Sequence, residues 1–173
     1  MQSTQHLKRL ILAGMLGSMG TALKLFSLTT GEFRFSFYDI PLFFGGMVLG
    51  PFLGLIIGFA ADWGYVLLDP RAVSFNLMTV SAMLWGFAGG YFYLRKKVGW
   101  TSLSIVIILT SMLAFTINSV QLYLWIGPGM LAQVPLRIGS MMLKWPLQIM
   151  VMKILYERVF LNSPFDLSYT TKN

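Results

Sequence analysis

Long apolar runs dominate this chain of 173 residues, and little sequence remains between them. Hydrophobic residues make up 56% of the chain and charged residues 11%, and the mean hydropathy is +0.70. A soluble domain usually carries about 25% charged residues, and a water-soluble core of this length could not bury so much apolar surface. The composition therefore predicts an integral membrane protein.

The apolar runs fit a small bundle of membrane-spanning helices. A hydrocarbon layer about 30 Å thick needs roughly 20 apolar residues per helical span, which leaves room for about six spans with short loops. Breaks such as Gly50-Pro51 and clusters of polar residues set their limits. The predicted spans cover residues 8–28, 38–50, 52–68, 75–94, 101–125 and 134–160. We expect a single all-α membrane domain over residues 1–173, a bundle of six transmembrane helices.

The orientation follows from the basic residues, because Lys and Arg near span ends favour the cytoplasmic side. With six spans, one side of the membrane holds Lys8, Arg9, Arg95, Lys96, Lys97, Lys153, Arg158 and Lys172. The other side holds Lys24, Arg34, Arg71, Arg137 and Lys144. The larger group indicates the cytoplasm, so both termini are expected there.

Three of the outer-side cations, Lys24, Arg137 and Lys144, fall inside spans. A charge near the bilayer centre costs at least about 2.5 to 3.5 kcal/mol, so such residues should face protein or water. The alternative is that they extend to the outer headgroups. For Arg34, Arg71 and Arg137, which come from three segments, we favour convergence into an anion-binding site.

Several classes of function are disfavoured by what the sequence lacks. There is no cysteine, and the single histidine, His6, lies in a polar amino-terminal stretch, so thiolate chemistry and metal binding are not expected. Neither Ser36 nor Ser140 has a histidine base, which argues against a membrane enzyme acting on lipid. No span carries the repeated polar stripe of a channel. The basic residues are scattered between apolar spans, which argues against nucleic acid.

Small residues mark one face of the first span. Gly14, Ser18 and Ala22 recur every fourth residue with Gly17 beside them, a pattern that allows another helix to approach closely. The pattern fits either docking of a partner or packing against a neighbouring span. For the glycines of spans 2 and 3, we expect internal packing.

Several stretches together resemble one family of membrane proteins. They are Arg34-Phe-Ser-Phe-Tyr-Asp-Ile-Pro41, Gly46-Met-Val-Leu-Gly-Pro51-Phe-Leu-Gly54, Ala60-Ala-Asp62, Asn118-Ser-Val-Gln-Leu122, Pro135-Leu-Arg137 and Gly14-Met-Leu-Gly-Ser18. In these residues the chain resembles the S components, or substrate-binding membrane subunits, of energy-coupling factor vitamin transporters, and within them the folate family. Gln121 and Asp39 depart from that family's pattern, where a tryptophan and an apolar or small residue are expected.

The resemblance implies a mechanism of uptake. Such a subunit holds its vitamin in a pocket in the outer half of the membrane and catalyses no reaction. It associates through span 1 with a transmembrane coupling protein, while two cytoplasmic ATPase subunits hydrolyse ATP. This chain has no G-x-x-x-x-G-K-[ST] phosphate loop, which agrees with ATP being handled elsewhere and with no cofactor of its own. The implied location is a bacterial cell membrane.

The chemistry of folate selects candidate residues for the pocket. Its glutamate carboxylates suit cations, the aromatic rings suit flat apolar walls, and the pterin edge offers N–H donors to a carboxylate or an amide. The cationic candidates are Arg34, Arg71, Arg137 and Lys144. The aromatic candidates are Phe33, Phe35, Phe37, Phe75, Tyr123 and Trp125, and those for the pterin edge are Asp39, Asp62, Asn118 and Gln121.

Alternatives remain for several of these residues. Asp62 could instead pair with a basic side chain, and Asn118 could join two helices. The aromatic residues are, taken singly, more often part of the interface belt or the core. The ligand could be another vitamin, of the pyrimidine, pyridoxine, pantothenate or riboflavin type.

Overall fold

The computed structural model describes residues 2–30, 33–69, 76–95 and 98–161. These residues form six α-helices joined by short connections. The helices are α1 (Gln2–Leu25), α2 (Asp39–Leu49), α3 (Pro51–Leu68), α4 (Leu77–Arg95), α5 (Trp100–Ile126) and α6 (Val134–Leu155). A 3₁₀ segment, Gly127–Gln133, joins α5 to α6, and a π-helical segment, Tyr156–Leu161, follows α6.

Each predicted span corresponds to one helix, but one element was not predicted. Between α1 and α2, strand β1 (Leu28–Thr30) pairs antiparallel with β2 (Phe33–Phe35). The predicted all-α membrane fold is confirmed as the fold class, and this small hairpin is an addition to it. Strands of three residues are too short to show an alternating pattern in the sequence.

The helices have the length and composition of a membrane protein. α3, α4 and the continuous stretch from α5 through α6 are long and apolar enough to cross a membrane, and α2 is a shorter apolar helix. Large apolar side chains lie on the outer surface of the bundle, among them Phe52, Leu67 and Leu143, which are more than two-thirds exposed. Such a surface is suited to lipid and not to water. The architecture is thus that of an α-helical membrane protein with one small hairpin.

Glycines allow the backbones of α2, α3 and α4 to meet directly. A Cβ atom added to Gly86 of α4 would overlap the carbonyl oxygen of Gly54 in α3, and one added to Gly46 of α2 would overlap the carbonyl oxygen of Gly86. Close backbone approach of this kind is typical of packed membrane helices. The expectation that the glycines of spans 2 and 3 serve internal packing is confirmed at these positions.

This packing gives a prediction for stability. Gly86→Ala should lower the free energy of unfolding of the detergent-solubilised protein by about 1 to 3 kcal/mol or more, because the added methyl group forces two backbones apart. Gly139→Ala in α6 is the matched control, since nothing lies within 4 Å of its added Cβ atom. Thermal unfolding of both variants checks the prediction, and equal stability of the two would contradict the packing described.

Two ends of the bundle can be distinguished. At one end, Gly50 ends α2 with a φ of 97°, Pro51 begins α3, and Arg9 donates hydrogen bonds to the Leu49 carbonyl oxygen (3.0 Å) and the Tyr93 hydroxyl (3.3 Å). The opposite end carries the β1–β2 hairpin, the first turns of α2 and α4, and the 3₁₀ segment. We call this second end the hairpin end. The predicted break at Gly50-Pro51 is confirmed.

Candidate functional site

Buried polar side chains gather toward the hairpin end, where α2, α4 and α6 begin and α1, α3 and α5 finish. Six of them lie on the final turns of α1, α3 and α5, on the first turns of α2 and α4, or just beyond α3. They are Lys24, Asp39, Asp62, Asp69, Thr79 and Gln121. Buried polar groups are costly unless they find partners, so their contacts indicate what each one does.

Asp39 and Lys144 form an ion pair between α2 and α6. The Lys144 Nζ lies 2.7 Å from Oδ2 of Asp39, whose side chain is 3% exposed. The same Nζ lies 5.6 Å from the centre of the Phe37 ring. The second carboxylate oxygen of Asp39, Oδ1, is buried and accepts no hydrogen bond in the described part of the chain. Asp39 therefore keeps one oxygen available for a ligand donor.

Arg137 lies on the same face of α6 as Lys144, since seven residues make almost two helical turns. Its Nη1 donates to the Ser119 hydroxyl of α5 at 3.1 Å, and its guanidinium carbon lies 5.2 Å from the centre of the Phe115 ring. No carboxylate of the described residues pairs with it. Arg137 is thus turned toward α5 with donors left for an anion, which disfavours the alternative of contact with headgroups.

α5 adds an amide, and two aromatic side chains lie near its end. Asn118 has a buried side-chain oxygen without a partner among the described residues. Trp125 lies about 40° around the helix from Gln121, whereas Tyr123 lies about 200° away. Trp125 therefore lies on the Gln121 side of α5 and Tyr123 on the opposite side, and both side chains are about half exposed. We expect Tyr123 to belong to the interface belt.

Gln121 has a structural contact that the sequence did not reveal. Its Oε1 accepts the backbone N–H of Leu77 at 3.0 Å and so satisfies one of the free donors at the start of α4. This contact holds α4 against α5. The predicted contact of the Gln121 amide with the pterin edge stays a prediction.

Asp62 is engaged inside the protein. Its carboxylate forms a buried ion pair with Lys24 of α1 and accepts a hydrogen bond from the Thr79 hydroxyl of α4 at 2.5 Å. Of the two interpretations left open for Asp62, internal pairing is the one that the structure shows. Lys24 likewise does not extend to headgroups, because its side chain is only 6% exposed and its Nζ lies 5.0 and 5.2 Å from the rings of Tyr38 and Tyr65.

Four predicted site residues are not located at the level of their side chains. Arg71 and Phe75 lie outside the described residues. For Arg34 and Phe35 the structure describes only the backbone, which places them in β2 opposite Thr29 and Leu28. The convergence of Arg34 and Arg71 with Arg137 stays a prediction.

Two further buried polar groups lie on α6, and sequence reasoning did not single them out. The indole nitrogen of Trp145 and the amide nitrogen of Gln148 are buried and have no partner in the described part of the chain. Gln148 is one turn beyond Lys144 and only 1% exposed. The sequence did offer one indication for Gln148, because it is an amide placed four residues after Lys144 within an apolar span.

The small-residue face of α1 is open. Gly14, Ser18 and Ala22 are exposed, and no heavy atom of the described residues lies within 4 Å of a Cβ added to Gly14. The Ser18 hydroxyl donates to the Gly14 carbonyl oxygen at 2.9 Å, so the face offers no free hydroxyl donor. Gly17 is different, because it is buried against Ala60 of α3 at 3.8 Å. Gly17 therefore packs internally, and the docking prediction rests on Gly14, Ser18 and Ala22.

A family model for the substrate-specific component of ECF transporters matches residues 8–161. The chain belongs to this family. The folate transporter FolT of Clostridium novyi (strain NT) is 26% identical over 129 residues, which make up 74% of this chain and 75% of that protein. A crystal structure of FolT bound with folic acid superposes with a TM-score of 0.76 and 29% identity, over 86% of this chain and 92% of that one.

Family membership settles the class of function. The chain is the substrate-specific component of a transporter and not an enzyme, so the alternative of a lipid-modifying enzyme is wrong. Within the described residues, no three His, Cys, Asp or Glu side chains come together to hold a metal ion. The resemblance identified from the sequence motifs is confirmed.

Proposed function

We propose that the chain binds folate from outside the cell and delivers it to the cytoplasm as the substrate-specific component of an ECF importer. The observation that carries this proposal is the similarity to FolT bound with folic acid, which extends over 86% of the chain. The contacts at the hairpin end supply a chemical reason for the same ligand.

The acceptors of the site suit the pterin edge. Oδ1 of Asp39 and the side-chain oxygen of Asn118 are buried and lack partners among the described residues. The amino-pyrimidinone edge of folate presents adjacent N–H donors, and a hydrogen bond to a carboxylate is stronger than one between neutral groups. Lys144, bound to the other oxygen of Asp39, fixes the orientation of that carboxylate and leaves Oδ1 for the ligand.

The cation and the flat side chains suit the rest of the ligand. Arg137 has guanidinium donors free to bind a carboxylate of the glutamate tail. Phe37 and Trp125 offer aromatic surfaces for the pterin and benzoate rings. The buried donors of Trp145 and Gln148 lie deeper along α6 and can meet ring nitrogens or the carbonyl oxygen of the pterin.

We place the hairpin end on the outer side of the membrane. All six helices then cross the bilayer of a bacterial cell membrane, and both termini are cytoplasmic. Arg9, Arg95, Lys153 and Arg158 lie at the opposite end, which agrees with the cytoplasmic preference of basic residues near span ends. The pocket then opens toward the external medium.

Transport needs partners in this proposal. A transmembrane coupling protein docks on the face of α1 formed by Gly14, Ser18 and Ala22, and two cytoplasmic ATPases supply the energy of ATP. The open surroundings of Gly14 support this role. The chain itself needs no cofactor.

The ligand identity has a direct test. A vitamin retained through purification of the chain should have the mass of folate, as measured by mass spectrometry. In a binding panel with pyridoxine, pantothenate, riboflavin and a pyrimidine vitamin, folate should be the tightest ligand. Retention of one of the other vitamins would move the chain to a different branch of the same family.

A further inference from the structure

A buried ion pair at the hairpin end is not explained by the proposed ligand contacts. Lys24 of α1 and Asp62 of α3 form it, and their side chains are 6% and 3% exposed. Replacing a buried ion pair by apolar residues of similar volume often leaves a protein equally or more stable. Stability alone is therefore a weak reason for the pair, and its neighbours point to a specific role.

On one side, the pair adjoins the segment that leads into α2. Nζ of Lys24 lies 5.0 Å from the centre of the Tyr38 ring, and Tyr38 directly precedes Asp39. The Ser36 hydroxyl donates to the carbonyl oxygen of Leu23, the residue before Lys24, at 2.7 Å. The chain from Ser36 to Asp39 is thus held against the last turn of α1.

On the other side, the pair adjoins the first turn of α4. The Thr79 hydroxyl donates to Oδ2 of Asp62 at 2.5 Å and accepts the backbone N–H of Asn76, the residue that caps α4, at 3.4 Å. A side-chain oxygen in the first turn that accepts the N–H of the capping residue satisfies a donor that the helix itself leaves free. Gln121 accepts the next N–H, that of Leu77, and so joins α5 to the same turn.

We propose that Lys24 and Asp62 form a positioning pair that fixes two flanks of the pocket at once. The first flank is residues 36–39, and the second is the first turn of α4, residues 76–79. The inference rests on the proposed function, because Asp39 on the first flank is a proposed ligand contact. Since Lys24 belongs to α1, the helix that carries the proposed docking face also holds both flanks in place.

A neutral version of the pair tests this role. Lys24→Met with Asp62→Asn removes both charges, keeps an apolar stem beside the tyrosine rings and leaves an acceptor for Thr79. In the ligand-free protein, hydrogen exchange should become about tenfold faster, or more, at residues 36–39 and 76–79, because the first segment loses the cation beside the Tyr38 ring and the second loses a hydrogen bond to a charged acceptor. Folate should dissociate faster by a similar factor, and the thermal midpoint should hardly change.

A second variant separates the flanks. Thr79→Val removes the link from Asp62 to α4 together with the acceptor for the Asn76 N–H, so exchange should rise at residues 76–79 and stay unchanged at residues 36–39. Lys153→Met is the matched control, because Lys153 pairs with a carboxylate, that of Glu157, at the opposite end of the bundle (3.5 Å). It should alter neither flank.

Two results would overturn the positioning role. One is unchanged exchange at both flanks in the neutral pair, and the other is faster exchange spread evenly over all helices, which would show that the pair only holds the fold together. Failure of the parent protein to bind folate would reject the proposed ligand but leave the exchange comparison in ligand-free protein valid.

Discussion

Leucine at both Gly14 and Ser18 should abolish vitamin uptake by vesicles that contain the complete transporter. The two side chains would fill the open face of α1 and keep another helix from close backbone contact. Because none of the described residues packs against Gly14 and both residues are exposed, folding and ligand binding by the isolated subunit should be unaffected. Uptake of labelled vitamin and equilibrium binding, measured on the same variant, check the two halves of this prediction.

Gly139→Leu is a suitable control, because Gly139 is equally open and lies on α6. That variant should retain uptake, since α6 carries no docking face in the proposed arrangement. Loss of binding in the α1 variant with normal assembly of the complex would show instead that the stripe acts within the subunit.

Arg137→Met should weaken folate binding by roughly tenfold to hundredfold or more. The substitution keeps much of the apolar stem but removes the guanidinium, and a lost hydrogen bond to a charged group costs on the order of 1.5 to 3 kcal/mol. A ligand carboxylate left buried without a partner would increase the loss. Titration calorimetry with the purified subunit measures the change.

Comparing two ligands locates the contact on the ligand. A folate fragment without the glutamate tail should bind the Arg137→Met variant almost as well as the parent, because the fragment lacks the carboxylates. Equal losses for both ligands would assign Arg137 to folding or to the pterin side. Arg95→Met is the control, since Arg95 also lies on an aromatic ring, that of Tyr91 at 5.1 Å, but at the other end of the bundle.

Much of the fold could be predicted because helices in a membrane are defined locally. An apolar run of sufficient length must satisfy its own backbone hydrogen bonds, so its ends follow from the polar and Gly-Pro residues around it. The break at Gly50-Pro51 is an example, confirmed by the positive φ of Gly50. The β1–β2 hairpin is the counterexample, because it is formed by pairing between two short segments that have no pattern of their own.

The site could be predicted only in part, because its contacts depend on how distant helices pack. Charged and amide residues within apolar spans were identifiable from sequence, and Asp39, Asn118 and Arg137 lie at or near the hairpin end. The partners of these residues could not be identified from sequence. Asp62, for example, could meet either a ligand or a lysine, and only the packing of α1 against α3 shows that its partner is Lys24. The contact of Gln121 was not foreseeable for the same reason, because its partner is a backbone donor of α4.

Titration of folate into the purified subunit, without ATP and without partner proteins, tests the central claim most directly. All proposed pocket residues lie on this chain, so we expect saturable binding with one folate per subunit. Saturation by a different vitamin with no response to folate would contradict folate as the ligand. Binding of folate that requires the coupling protein or ATP would contradict a pocket contained within this chain alone.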